Sequence, residues 1–362
     1  MKKIFYLTIA GLIVWSLPAD AQTTKLTGAQ ILRSARGIYD QGRLHELPAF
    51  LEEHLADIDN DVERVEAYKI LVLTFIYLEE PEKADAAMLQ ILGTDFFFKP
   101  ADSDPVEFKN LYGKFRVKPI FSYGAKVGVA ATTFVKPKAN HYVNGESRGR
   151  GQYNSNLTIQ FTGIFEKELT ANIGAKKFDF TVNPELSYTS QSFNYFNDAI
   201  SFNDGSEPAF ADHRIQHTRI QLNALVQYKI LKDNKFNPYV SVGPSLGYLM
   251  KSTFDGNLTY ELGNGATQSG LDNTASYKKM NYSVIASGGV KYKLSGIYLT
   301  LDVRYQFGLG NVVDEANRYK FEGDRNTIYT EYGYTDNDFS IDQVIFNLGL
   351  IVPKFNPKKL IK

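Results

Sequence analysis

The stretch Ile297-Tyr298-Leu299-Thr300-Leu301-Asp302-Val303-Arg304-Tyr305-Gln306-Phe307 carries an apolar side chain at every odd position. Its even positions include Asp302, Arg304 and Gln306. Successive side chains of an extended strand point to opposite faces, so a period of two sorts these residues onto two sides of one strand. One side suits hydrocarbon. The other suits water or a polar network.

The same alternation recurs in eight runs, at about 121–134, 152–169, 175–192, 212–230, 238–253, 277–294, 296–310 and 340–353. The gaps between them alternate in length. Thr170–Gly174, Leu231–Asn237 and the Ser295-Gly296 turn are short. Val135–Gly151, Phe193–Ala211, Phe254–Ser276 and Asn311–Phe339 are long and rich in Gly, Asn, Asp and Ser. An even set of strands joined by tight and long connections in turn predicts an eight-stranded antiparallel transmembrane β-barrel, preceded by a small all-α domain. Beyond the first 21 residues no apolar stretch is as long as a spanning helix, so the crossing falls to strands. Several runs exceed the roughly 9–11 residues a crossing needs and should project beyond the membrane.

An outward stripe is legible as Tyr123, Val127, Val129, then Leu157, Ile159, Phe161, then Phe178, Phe180, Val182, Leu186, Tyr188. It continues through Ile220, Leu222, Val226, Tyr228, Val240, Val242, Leu246 and Tyr248, and closes with Val344, Phe346, Leu348 and Leu350. At eight strands the interior is about wide enough to be filled by side chains. The inward charges Lys126, Asp179, Glu185, Arg219, Asp302 and Arg304 are therefore expected to form a mutually satisfied polar plug, because ionised groups taken out of water need partners. A narrow solute path gated by the same residues is the alternative.

The start reads as a signal peptide over 1–21: Lys2 and Lys3, an apolar run from Ile4 to Leu17, and the small-x-small site Ala19-Asp20-Ala21. With 0 Cys, disulfides and thiolate metal sites are excluded. The 40 basic residues balance the 40 acidic ones, so no general attraction to nucleic acid is expected. The 23 Tyr and 25 Phe would furnish interfacial aromatic girdles. His45, His54 and His141 are scattered, and the acidic run Glu52, Glu53, Asp57, Asp59, Asp61, Glu63 lacks the spacing and Gly turn of a calcium loop. No metal or other cofactor is expected. Gly145 to Gly151, with Arg148 and Arg150, reads as an external loop.

Residues 22–94 show apolar side chains at spacings of three and four, in helix–break–helix units with Pro48 and Pro81 at first-turn positions. Ala35, Tyr39, Gly42, Ala67, Tyr77 and Ala84 give this segment a loose resemblance to tetratricopeptide-type repeats; an ordinary four-helix bundle reads equally well. A connector at 95–119, rich in Phe, is expected to dock the helices at the barrel mouth. The barrel is read over 120–353, with a tail at 354–362.

Over 120–353 the chain resembles the OmpA/OmpX-like small outer-membrane barrels, especially the Bacteroidetes-type ones with a helical periplasmic front end. The resemblance implies contact with outer-membrane lipid, helices and C-terminus in the periplasm, and a non-enzymatic role: an anchor presenting the helices and long loops to a protein partner in envelope assembly, secretion or surface attachment. Some barrels resembling this one are acyltransferases or deacylases. That alternative falls on His213 and His217, of inward parity near the outer end of the fourth strand. Ser190 and Ser192 lie near them but on the outward parity of the third strand.

Overall fold

In the computed structural model the residues described are 26–139, 141, 151–173, 176–200, 209–231, 235–261 and 263–360. The expected signal peptide and all but the last residue of the loop at 145–151 lie outside them. The chain divides into two units: 1–117 together with 357–362, and 118–356.

The first unit is helical. Helix α1 (Gly28–Asp40) opens on a capping box in which the Thr27 hydroxyl accepts from the Gln30 N–H and the Gln30 side chain accepts from the Thr27 N–H. Helices α2 (Leu47–His54) and α4 (Pro81–Thr94) each carry proline in the first turn, and Asn60 caps α3 (Asp61–Tyr77) through the Val62 N–H at 2.9 Å. Their apolar faces meet in one core that includes Ile31, Leu51, Leu71, Phe75, Met88 and Ile91. Residues 95–117 of the stretch read as a connector belong to this unit. They form α5 (Val106–Tyr112), whose Phe108 is fully buried in the helical core with Phe98 against it. Part of the tail belongs here too: Phe115 bridges Lys359, and the Leu360 N–H donates to the Lys114 carbonyl at 2.7 Å.

The second unit has ten strands among the described residues: β1 (Phe121–Ala139), β2 (Gln152–Ser155), β3 (Leu157–Ile173), β4 (Lys176–Ile200), β5 (Ala209–Lys229), β6 (Phe236–Tyr260), β7 (Gly265–Asp272), β8 (Met280–Lys293), β9 (Tyr298–Gly308) and β10 (Asp338–Lys354). Eight close a ring, β1-β3-β4-β5-β6-β8-β9-β10 and back to β1, antiparallel throughout. The ring is the barrel predicted. β2 adds to the upper part of β4, and β7 folds back on β6, so the polar run around Asn257–Thr274 is largely a hairpin where a loop was expected. Lys293 pairs with Tyr298 across a turn whose Gly296 has φ +83°, a conformation that favours glycine.

The strands differ greatly in length. β9 has 11 residues, but β4 and β6 have 25, which extends roughly 80 Å at about 3.3 Å per residue. In the lower part the outward stripe is exposed as predicted, with Leu222, Leu301 and Phe346 all more than half exposed. Above it the chemistry of the two faces exchanges while the geometry continues. On β5 the inward positions run Asn223, Gln221, Arg219 and then His217, Ile215, His213, Ala211; the outward ones run Leu222, Ile220 and then Thr218, Gln216, Arg214, Asp212. On β4 and β6 the inward side likewise becomes Phe193 and Tyr195, Phe254 and Leu258. The lower barrel is apolar outside and polar inside. Its extension is the reverse.

Candidate functional site

The lower lumen holds a closed set of charges. The Lys126 ammonium from β1 lies 2.7 Å from Asp302 and 3.5 Å from Glu185. Arg304, two residues along β9 from Asp302, donates through Nε to Asp302 at 2.6 Å and forks both its terminal nitrogens onto Glu185, one of them at 2.8 Å. Two cations thus face two carboxylates from three strands, all at most 4% exposed. Remaining lone pairs are met by neutral donors: Asn347 at 2.8 Å and the Tyr239 hydroxyl at 3.2 Å to Asp302, and Asn183 at 3.3 Å to Glu185. Glycines make room for these side chains. A Cβ on Gly349 would stand 2.5 Å from Lys126 Cγ, and one on Gly289 would stand 2.7 Å from Asp302 Cβ.

Two residues of the predicted plug lie elsewhere. Asp179 precedes Glu185 by six positions on β4, roughly 20 Å along the strand. It sits near the tight-turn rim, where it accepts from Thr170 at 2.7 Å and lies 4.0 Å from Lys118. Arg219 is buried but above the cluster; its Nη2 lies 3.1 Å from His217 Nδ1, and no carboxylate pairs with it among the described residues. A second buried pair completes the lumen, Lys291 donating to both oxygens of Glu166 at 2.7 Å. Both residues share the inward parity of Gln160 and Ser283, which is the signal that would have found them.

Above the polar layers the β9–β10 connection, with α6 (Asp324–Thr330), fills the extension. Ile328, Tyr332, Tyr334 and Val313 pack against Phe193, Tyr195, Ile215, Phe254 and Phe339 in a second core. Tyr334 meets Tyr195 with ring centroids 4.9 Å apart and Phe254 at 5.1 Å. Gly256 leaves space for this loop, since a Cβ there would meet the Tyr332 ring at 2.5 Å.

His213 lies inside this aromatic core and His217 at its base, both fully buried. His213 Nδ1 accepts the Asn257 N–H at 3.2 Å and Nε2 lies 3.3 Å from the Tyr332 carbonyl, so both ring nitrogens are engaged in the neutral Nε2–H form. Ser190 accepts from Gln216 at 3.0 Å, and Ser192 from Arg214 at 3.1 Å and Asn156 at 3.2 Å. The serines and histidines face opposite sides of the wall and do not pair. No group of three or more metal-ligating side chains occurs among the described residues.

The loop also buries Asp336, which accepts from the Tyr277 hydroxyl, from Tyr334 at 3.0 Å and from Asn273 at 3.2 Å. Burial pushes its carboxyl above the ordinary value, against those hydrogen bonds. A carboxyl raised on folding contributes stability below its unfolded value, about 3.9, and that contribution is lost as pH rises through the folded value. Ionisation of Asp336 in the folded chain therefore costs stability. Asp336→Asn is expected to gain protection of amides 309–337 over the native residue as pH rises, with the gap smallest near pH 4. Hydrogen exchange corrected for intrinsic rates measures this; a variant less protected at every pH would contradict it.

A sealed antiparallel ring of eight strands, apolar outside and charge-paired within, matches one family by sequence. The family described as "Outer membrane protein beta-barrel domain" covers residues 116–314. The chain belongs to it. No curated protein matches. Among solved structures this outer-membrane barrel is similar to Neisserial surface protein A, at 12% identity and TM-score 0.28 over 64% of this chain and 96% of that one. It is similar to OprG of Pseudomonas aeruginosa, at 14% identity and TM-score 0.31 over 65% and 96%. It is also similar to Ail of Yersinia pestis, crystallised with the heparin analogue sucrose octasulfate, at 10% identity and TM-score 0.24 over 64% and 98%.

Proposed function

We propose that the barrel is a non-catalytic anchor in outer-membrane lipid, presenting a periplasmic helical module and long external loops to a protein partner. The observation that carries this is the blocked axis: paired charges below and an aromatic core above close the barrel lengthwise. The helical unit and the loops remain accessible. The side assignment is supported by Phe121 pairing with Lys354, which puts entry and exit of the chain at the rim of the tight connections, the periplasmic side in such barrels. The tetratricopeptide-like spacing of the helices supports protein recognition, and exposed Val62 and Tyr77 offer apolar contacts.

Against acyl transfer stand the His213 nitrogens, both engaged, and serines bonded on the other face. Against conduction stands the charge cluster; steady openings in planar bilayers that disappear in Arg304→Ala would favour the channel. The direct test places a photo-crosslinking amino acid at Val62 or Tyr77 in cells. A discrete protein adduct from these positions, absent when the same probe replaces Phe161 on the barrel wall, is the expected result. Adducts from neither helix position would count against the scaffold.

A further inference from the structure

Between the charge cluster and the aromatic core the barrel encloses a cavity of about 230 Å³. Arg219 forms part of its wall. This guanidinium is 2% exposed, its Nε has no partner among the described residues, and its Nη2 meets only the neutral-acceptor nitrogen of His217. Lys278 stands among the lining residues as a second cation, on the exposed side. Not one of the lining residues is an aspartate or glutamate. The contrast with the cluster below, where two cations meet two carboxylates, is direct. A buried guanidinium left without a counter-charge is costly unless something supplies one, and its planar fork of donors matches a carboxylate or phosphate edge.

The way in is set by strand length. β8 begins at Met280 and β9 ends at Gly308, while β6 runs on to Tyr260 and β10 already starts at Asp338. Loop contacts replace the wall there, the Leu309 N–H donating to the Tyr282 carbonyl at 3.0 Å. Met280, Tyr282 and Leu309 line the same cavity, yet all three are exposed on the outer surface. Met280 pairs with Tyr248 and Tyr282 with Leu246, both members of the outward stripe. The mouth therefore lies where the apolar stripe ends.

We infer that this cavity binds the anionic head of a single-chain amphiphile, a fatty-acid carboxylate in its simplest form. The oxyanion takes the Arg219 guanidinium, and the alkyl chain leaves past Met280, Tyr282 and Leu309. The volume suits a head and excludes a long tail, and the rim is apolar where a tail would emerge. The binding is reversible and involves no covalent step.

The test is isothermal titration of dodecanoate into the full chain folded in maltoside micelles, with blank micelles subtracted. Arg219→Gln is expected to weaken binding about tenfold or more, the scale of a lost charged hydrogen bond. Lys278→Glu, at an exposed position that should not disturb folding, is expected to weaken it several-fold. Dodecanol should bind far more weakly than dodecanoate, and so should acetate. Acetate binding as tightly would assign the cavity to free anions and overturn the amphiphile. Equal binding of dodecanol, no saturable dodecanoate binding, or unchanged affinity in both variants would overturn the site itself.

Discussion

Replacing Arg304 with Ala is expected to cost about 3–5 kcal/mol, the usual consequence of removing one partner from a buried ionic group. The reason lies in the stoichiometry. Arg304 and Lys126 each face both Asp302 and Glu185, so the loss of Arg304 leaves two buried carboxylates against the single ammonium of Lys126. The double variant Arg304→Met, Glu185→Leu removes one charge of each sign and leaves Lys126 paired with Asp302 at 2.7 Å. Apolar replacement of a whole buried pair is often neutral or better. The double variant should therefore be more stable than Arg304→Ala, although it carries more substitutions. Urea unfolding in micelles, followed by heat-modifiable gel mobility, compares the three proteins. A single variant within about 1 kcal/mol of the native chain would mean that the charges are hydrated and the lumen open.

The second large effect concerns the outer wall. Leu301→Arg should destabilise the barrel by about 2–4 kcal/mol, the scale for a basic residue at the middle of the hydrocarbon layer. Thr259→Arg, equally outward and exposed but on the extension of β6, should stay within about 0.5 kcal/mol. Both side chains point away from the lumen, so strand geometry does not separate them. Only the surrounding medium does. Equal effects at the two sites would mean that no hydrocarbon boundary lies between them.

These two positions also show what could be read in advance. The alternation from Ile297 to Phe307 reveals a strand with one apolar face, and the Ser295-Gly296 turn fixes its neighbour, because both signals are local. The ends of the long strands are not local in this sense. Past Gln191 on β4 and before Arg219 on β5 the apolar residues move to the inner face, so a rule of greasy outside and polar inside stops applying where the extension begins. The inversion has a partner that no strand pattern announces: Tyr332 and Tyr334, distant in sequence and set in a polar loop, turn inward to cover Phe254 and Phe193. The same limit applies to the charges. Parity places Lys126, Glu185, Asp302 and Arg304 on the inner face, but parity says nothing of height along the axis. Asp179 and Arg219 share that face and still lie too far along their strands to join the cluster.

The central claim is that one cylinder presents hydrocarbon-compatible side chains outward and ionised ones inward, with the reverse arrangement above. Since the chain has 0 Cys, single cysteines carry spin labels without background. The decisive measurement is the accessibility of labels in reconstituted bilayers to oxygen and to a water-soluble nickel chelate. Labels at Leu301, Val303 and Tyr305 should collide with oxygen and not with nickel, a label at Thr300 with neither, and labels at Asp212 and Arg214 with nickel. Nickel access at Leu301 and Val303 equal to that at Arg214, or shielding of all of them from both reagents, would contradict the account.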